Sequence, residues 1–248
     1  MKSIGGLSLI AIFGIIIISC LDAPQYSEIP EIEFDQIVFK DVSTADSLIV
    51  SLKFKDGDGN MGIGASEKQV PFNDKFYFQL PERTRVDFFR IDKTYVTYKT
   101  KRTVAGYDTL PAFVKPYNCT NWEVLTQNQK VTDTLYFELN PNQHNIFITF
   151  QIKDASGQFQ DFDFSSFYTY PLCEVIGFKG RFPVLSKDLS QPGPLEGTIR
   201  YAMISAGFNF IFSIRTLRLK IKVQDRALNI SNEIFTPEFT LQSIRKPS

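Results

Sequence analysis

Ser47-Leu48-Ile49-Val50-Ser51-Leu52-Lys53-Phe54-Lys55, running straight into Asp56-Gly57-Asp58-Gly59-Asn60, is the stretch that decides the fold. Leu48, Val50, Leu52 and Phe54 fall on alternate positions, the period of a strand with one buried face. Gly and Asp residues then stop the strand, because Gly and Asn accept the positive φ values that tight turns require. Working outward, period-two segments recur at 75–80, 86–98, 134–139, 145–153, 197–205, 217–224 and 234–241. In Glu31–Lys40 the apolar phase runs through Ile32 and Phe34, slips around Asp35-Gln36, and resumes at Ile37 and Phe39, which predicts a β-bulge. Residues 121–130 are the best short-helix candidate. Many short strands with turns between them predict an all-β, immunoglobulin-like β-sandwich, either one large or two small, with a possible subdivision near 170–195.

Composition agrees with strands and excludes several functions. Among 248 residues there are 24 Phe and 10 Tyr, side chains enriched in sheets. The 27 basic side chains are matched by 27 acidic ones, so no net basic field exists to hold nucleic acid. One His rules out a two-histidine metal site, and three Cys leave little for nucleophilic chemistry.

At the amino terminus, Lys2 precedes an apolar run at 4–18 that ends in Ser19-Cys20. The run is about fifteen residues, short of the ~20 that span a bilayer. Ile17-Ile18-Ser19-Cys20 resembles a bacterial lipobox. The resemblance implies a signal peptide over 1–19, cleavage before Cys20, and lipidation of Cys20 by a diacylglycerol thioether and an N-acyl chain such as palmitate. An uncleaved anchor is the alternative. Residues 20–30 then form a lipidated tether and 31–248 the body. Leu21 stands where inner-membrane retention would place Asp, so the expected location is the outer membrane, in a periplasmic or a surface leaflet. With Cys20 used for lipid, Cys119 and Cys173 are left in an oxidising compartment, as a disulfide or as two buried thiols.

Three segments share one grammar of strand end, Lys or Gln, Asp, and a small-residue turn. They are Phe54-Lys55-Asp56-Gly57-Asp58-Gly59-Asn60, Ile152-Lys153-Asp154-Ala155-Ser156-Gly157-Gln158 and Val223-Gln224-Asp225-Arg226-Ala227-Leu228-Asn229. The first resembles the "FxDGDGDxG" turn of a large group of Bacteroidota outer-membrane lipoproteins. The third resembles a hairpin near the end of many bacterial immunoglobulin-like and fibronectin-like modules. These resemblances imply an extracytoplasmic β-sandwich and carry no activity with them.

Asp56, Asp58 and Asn60 place oxygens at alternate positions, with Glu67 twelfth counting from Asp56, as at the opening of a calcium loop. The expected reading is nevertheless a tight hairpin with solvated acids and no cofactor, whose melting calcium leaves unchanged; a calcium loop is the alternative. Asp46-Ser47-Leu48, Asp108-Thr109-Leu110 and Asp133-Thr134-Leu135 resemble the Bacteroidota O-glycosylation triplet, making Ser47, Thr109 and Thr134 candidate acceptors. His144 enters a strand from a turn. Phe159, Phe162, Phe164, Phe167, Tyr168 and Tyr170 crowd one segment, and Phe208, Phe210 and Phe212 another; sandwich core is the expected use for alternating aromatics. The expected role is a non-catalytic binding or structural accessory of the envelope, partnered by the membrane and by an envelope protein or a glycan. A surface glycan-binding lipoprotein is the rival, and an enzyme with an unrecognised carboxylate pair comes third.

Overall fold

The computed structural model describes residues 24–41, 46–101, 103, 105–106, 109–110, 121–164, 177–205 and 207–246. The chain is an all-β sandwich with a third sheet inserted into it. One sheet of the sandwich contains β1 (Glu31–Lys40), β2 (Asp46–Asp56), β9 (Leu195–Ser205) and β12 (Arg245–Lys246), in the order β12-β1-β2-β9. The facing sheet contains β7 (Ile146–Lys153), β8 (Phe159–Asp161), β10 (Leu217–Val223) and β11 (Ile234–Phe235), in the order β11-β10-β7-β8.

Alternation produces the shared core. Leu48, Val50, Leu52 and Phe54 of β2 meet Leu217, Leu219, Ile221 and Val223 of β10 and Ile146, Ile148 and Phe150 of β7. The bulge lies where the phase slip places it, between Phe34 and Gln36, and Ile32 and Phe39 on either side reach the same core. Each buried side chain of this size contributes roughly 1.5–3 kcal/mol.

Phe208, Phe210 and Phe212 form a different element. They lie in one helical turn, α1 (Phe208–Phe212), so Phe208 and Phe212 point inward together while Phe210 is 85% exposed. The inward pair joins Phe150, Phe162, Phe164 and Phe178, with neighbouring ring centroids 4.8–6.2 Å apart.

The insertion comprises β3 (Lys75–Gln79), β4 (Thr84–Val86), β5 (Trp122–Gln127) and β6 (Lys130–Leu139), in the order β4-β3-β6-β5. Tyr77, Tyr95, Leu135 and Phe137 pack on one of its faces, and Phe78, Val96, Trp122 and Tyr136 on the other. Two expectations fail here. The helix candidate at 121–130 is the β5–β6 hairpin, closed by Asn128 and Gln129 with φ of 49° and 62°. Positive φ at both turn residues suits the twist of a two-residue hairpin. Residues 86–98 are not one strand: after Val86 the chain turns and returns only through the single bridges Gln79–Tyr95 and Thr97–Leu135. Tyr95 and Val96 face opposite clusters, so the alternation is real but belongs to a short covering segment. In 234–241, Pro237 follows β11, and the chain next pairs only where Phe239 bridges Leu217.

Topology gives the sandwich two unlike ends. At one, β1 begins, β2 ends at Asp56, and β10 ends opposite the start of β7; the chain enters and leaves the insertion from this end. The other end holds α1, the turn after Lys153, and the start of β10.

A candidate metal centre at the tether end

The site is built from two of the three related turns. β2 ends at Asp56 and the chain bends through Gly57–Asn60. Gly57 N–H donates to the Ser27 carbonyl at 2.8 Å, and a Cβ on Gly57 would sit 2.5 Å from the Tyr26 carbonyl oxygen. Gly59, at φ +68°, admits the Gly193 carbonyl where a Cβ would come within 2.4 Å of it. Glycine is therefore required on both sides, so that the residues after Cys20 and the 193 loop can press against the turn. The segment expected to be a tether, 20–30, is docked against the sandwich from Tyr26 onward. Tyr26 Oη donates to Glu196 at 2.7 Å, and the Lys55 ammonium lies 5.5 Å from its ring centroid.

The second turn follows β10. Arg226 N–H donates to the Asn60 carbonyl and to Asn60 Oδ1 at 3.3 and 3.2 Å, tying the turns together. The result brings oxygens of Asp56, Asp58 and Asp225 within 4.8 Å of one another. Asp56 and Asp225 are fully buried, and Asp58 is half-buried. At an effective dielectric of ~20, each like-charged pair at such spacing repels by roughly 3 kcal/mol or more.

Donors hold most of these oxygens. Asp56 Oδ2 accepts from Asn60 N–H at 2.9 Å, and Asp58 Oδ2 accepts from Asn60 Nδ2 at 2.6 Å. Asp225 accepts from Asn229 N–H at 2.7 Å and from Asn229 Nδ2 at 2.8 Å. Asp56 Oδ1 is buried with no partner while both acids are ionised. A proton held against Asp58 relieves it: burial, the Asp58 charge and that hydrogen bond push Asp56 up to about 7. Burial also raises Asp225 against the pull of its Asn229 bonds.

Of the expected ligand set, the structure unites Asp56 and Asp58 and replaces the others. Asn60 Nδ2 donates to a carboxylate and its Oδ1 accepts from Arg226 N–H, so its side chain orients the acids and points no free oxygen at them. Glu67 is bidentate to Arg226 at 2.7 and 2.7 Å and accepts from Gly64 N–H, which holds its carboxyl below the usual range. That pair ties the lead-in to the insertion onto the Asp225 turn. Arg181 staples the same lead-in through the carbonyls of Glu67 and Phe72, both at 2.6 Å. The expected solvation of the turn acids does not hold for Asp56. Asp225 has no ligand motif of its own in the sequence; the repeated turn grammar is the one signal that points to it.

The remaining candidates scatter. Cys20, Cys119 and Cys173 lie outside the described residues, as do Phe167, Tyr168 and Tyr170. Ser47 is half-buried within β2, Thr109 is exposed, and Thr134 is buried inside β6, where a sugar would require the hairpin to open. His144 is depressed by burial and by Arg181 and Lys179. No protein-family model, curated protein or solved structure matches the chain.

Three carboxylates around a buried, unpartnered oxygen can hold a proton or a hard cation. The class of molecule defined by fold and site is an all-β sandwich with an acidic junction at one end.

Proposed function

We propose that the protein is a lipid-anchored outer-membrane accessory, with an immunoglobulin-like sandwich that binds an envelope protein without catalysing a reaction. The observation that carries this reading is the contrast between the two ends of the sandwich. Tyr26 is docked at one end, so a lipid on Cys20 has only six residues of reach, at most about 20 Å. The opposite end displays Ile204, Phe210 and Ile214 at 69%, 85% and 94% exposure. Large aliphatic and aromatic side chains gathered in solvent mark an interaction surface. Anchoring at the first end turns that surface away from the bilayer.

The same observation favours a protein partner over a glycan. Sugar platforms need exposed ring faces beside polar groups, whereas Phe162, Phe164, Phe208 and Phe212 pack on the sandwich core. Phe159, partly buried, and Phe235, exposed, are occupied by protein, holding the Arg218 guanidinium between them at 4.2 and 4.4 Å.

A photo-crosslinking residue in place of Ile214 tests the reading in cells. We expect a discrete protein adduct that is absent when the probe replaces Leu189 and that is lost when Cys20→Ala abolishes palmitate labelling. Equal palmitate labelling of Cys20→Ala and parent overturns the anchor, and no adduct at 214 overturns the protein-binding role.

A further inference from the structure

We propose that Asp56, Asp58 and Asp225 bind one hard divalent cation of the calcium class, locking together the two turns and the segments pinned to them. Two independent observations carry the assignment. The first is convergence: acids from turns that are 169 positions apart in sequence bring oxygens within 4.8 Å. The second is Asp56 Oδ1, fully buried in that cluster and without a hydrogen-bond partner. Buried polar atoms are almost always satisfied, so an orphan oxygen among acids points to a missing positive partner.

The donor set selects the cation. All the convergent atoms are carboxylate oxygens, which suit hard cations and not the soft ions that thiolates or imidazoles hold. Calcium accepts six to eight oxygens in irregular geometry, including one or both oxygens of each carboxylate. The outer ring is already in place. Asn60 and Asn229 each donate to a carboxylate from backbone and side chain, which fixes the acids without occupying Asp56 Oδ1. Second-shell donors of this kind orient ligands at metal sites.

The site also sits at a junction. Gly57 carries the docked Ser27, Asn229 Nδ2 reaches the Glu28 carbonyl at 3.4 Å, and Arg226, next to Asp225, holds Glu67 at the entrance to the insertion. A cation between the turns would therefore brace the amino-terminal segment, the sandwich and the lead-in to the insertion at once. Whether Cys20 is lipidated does not enter this inference.

The test is calcium titration of the detergent-solubilised full chain, by calorimetry and by thermal melting against a chelator. We expect one calcium per chain and, at tenfold excess over Kd, a melting point raised by roughly 3–6 °C. Asp58→Asn and Asp225→Asn should each weaken binding at least about tenfold while the chain still melts cooperatively; Glu67→Gln and Asp154→Asn should leave the stoichiometry at one. No heat and no shift at millimolar calcium, in a chain with a cooperative melt, would overturn the proposal and leave the proton between Asp56 and Asp58 as the sole partner. Undiminished binding by Asp225→Asn would overturn the ligand assignment. Tighter binding of magnesium than of calcium would overturn the choice of cation.

Discussion

Asp154 and Asp56 begin turns of the same grammar and meet opposite fates. Both follow a strand and a lysine, and each accepts from the backbone N–H four residues on: Asn60 for Asp56 at 2.9 Å, and Gln158 for Asp154 at 3.0 Å. Asp225 does the same with Asn229. Asp154 stands alone at the far end of the sandwich in solvent, where bonds from Ser156 and Gln158 hold it below the ordinary carboxylate range. Asp56 and Asp225 are folded against each other, and burial raises both. Local sequence sets the turn, while the chemistry of its Asp is set by what the sheet topology brings opposite.

The largest expected divergence is in pH dependence. Asp56 is raised to about 7 in the folded chain, so between its unfolded value near 4 and pH 7 the native state holds a proton that the unfolded chain has lost. Stability contributed by that proton is complete below about pH 4 and disappears as pH rises through 7, at most roughly 4 kcal/mol. Urea unfolding in chelator should therefore show the parent weakening from pH 4 to pH 7. Asp56→Asn should flatten this slope, and Asp154→Asn should leave it unchanged. An equal slope in Asp56→Asn would mean that another group carries the proton.

A smaller divergence comes from truncating each Asp at neutral pH. Asp225→Ala removes the acceptor of two bonds from Asn229, in a place that water does not reach. Leaving buried donors unpaired costs about 1–3 kcal/mol, offset in part by relief of repulsion from Asp58. Urea midpoints should fall clearly for Asp225→Ala and barely for Asp154→Ala. Equal losses would show that the local turn, and not its burial, decides the energetics.

The same contrast explains what could be read from residues alone. The alternations of β2 and β10 and the slip in β1 are local patterns, and each appears in the structure where the period places it. Turn type was harder. Asn128-Gln129 closes a hairpin although Gln is an unusual choice for positive φ, and Phe208 to Phe212 alternates in sequence but coils in space. For the site, Asp56 and Asp58 were visible because they are neighbours. Asp225 was not, because convergence across 169 positions depends on the register of two sheets that no local pattern encodes. Glu67 had the right count and the wrong neighbour, since Arg226 claims it.

The smallest effect sharpens the comparison from the other side. A carboxyl lowered in the folded state stabilises it above the unfolded pKa and loses that contribution as pH falls through the folded value. Asp154 is of this kind, with Ser156 Oγ at 2.6 Å and the N–H groups of Ser156 and Gln158 at 2.9 and 3.0 Å all directed at Oδ1. Its carboxylate is solvated in both states, so screening leaves little net gain. Asp154→Asn should therefore melt slightly below the parent at pH 7, and the gap should close as pH drops below the ordinary aspartate range. Asp56→Asn should show the reverse order in chelator, gaining on the parent as pH rises. If both variants moved in the same direction with pH, burial would not be what separates the two turns, and the opposite shifts assigned to Asp56 and Asp154 would be wrong.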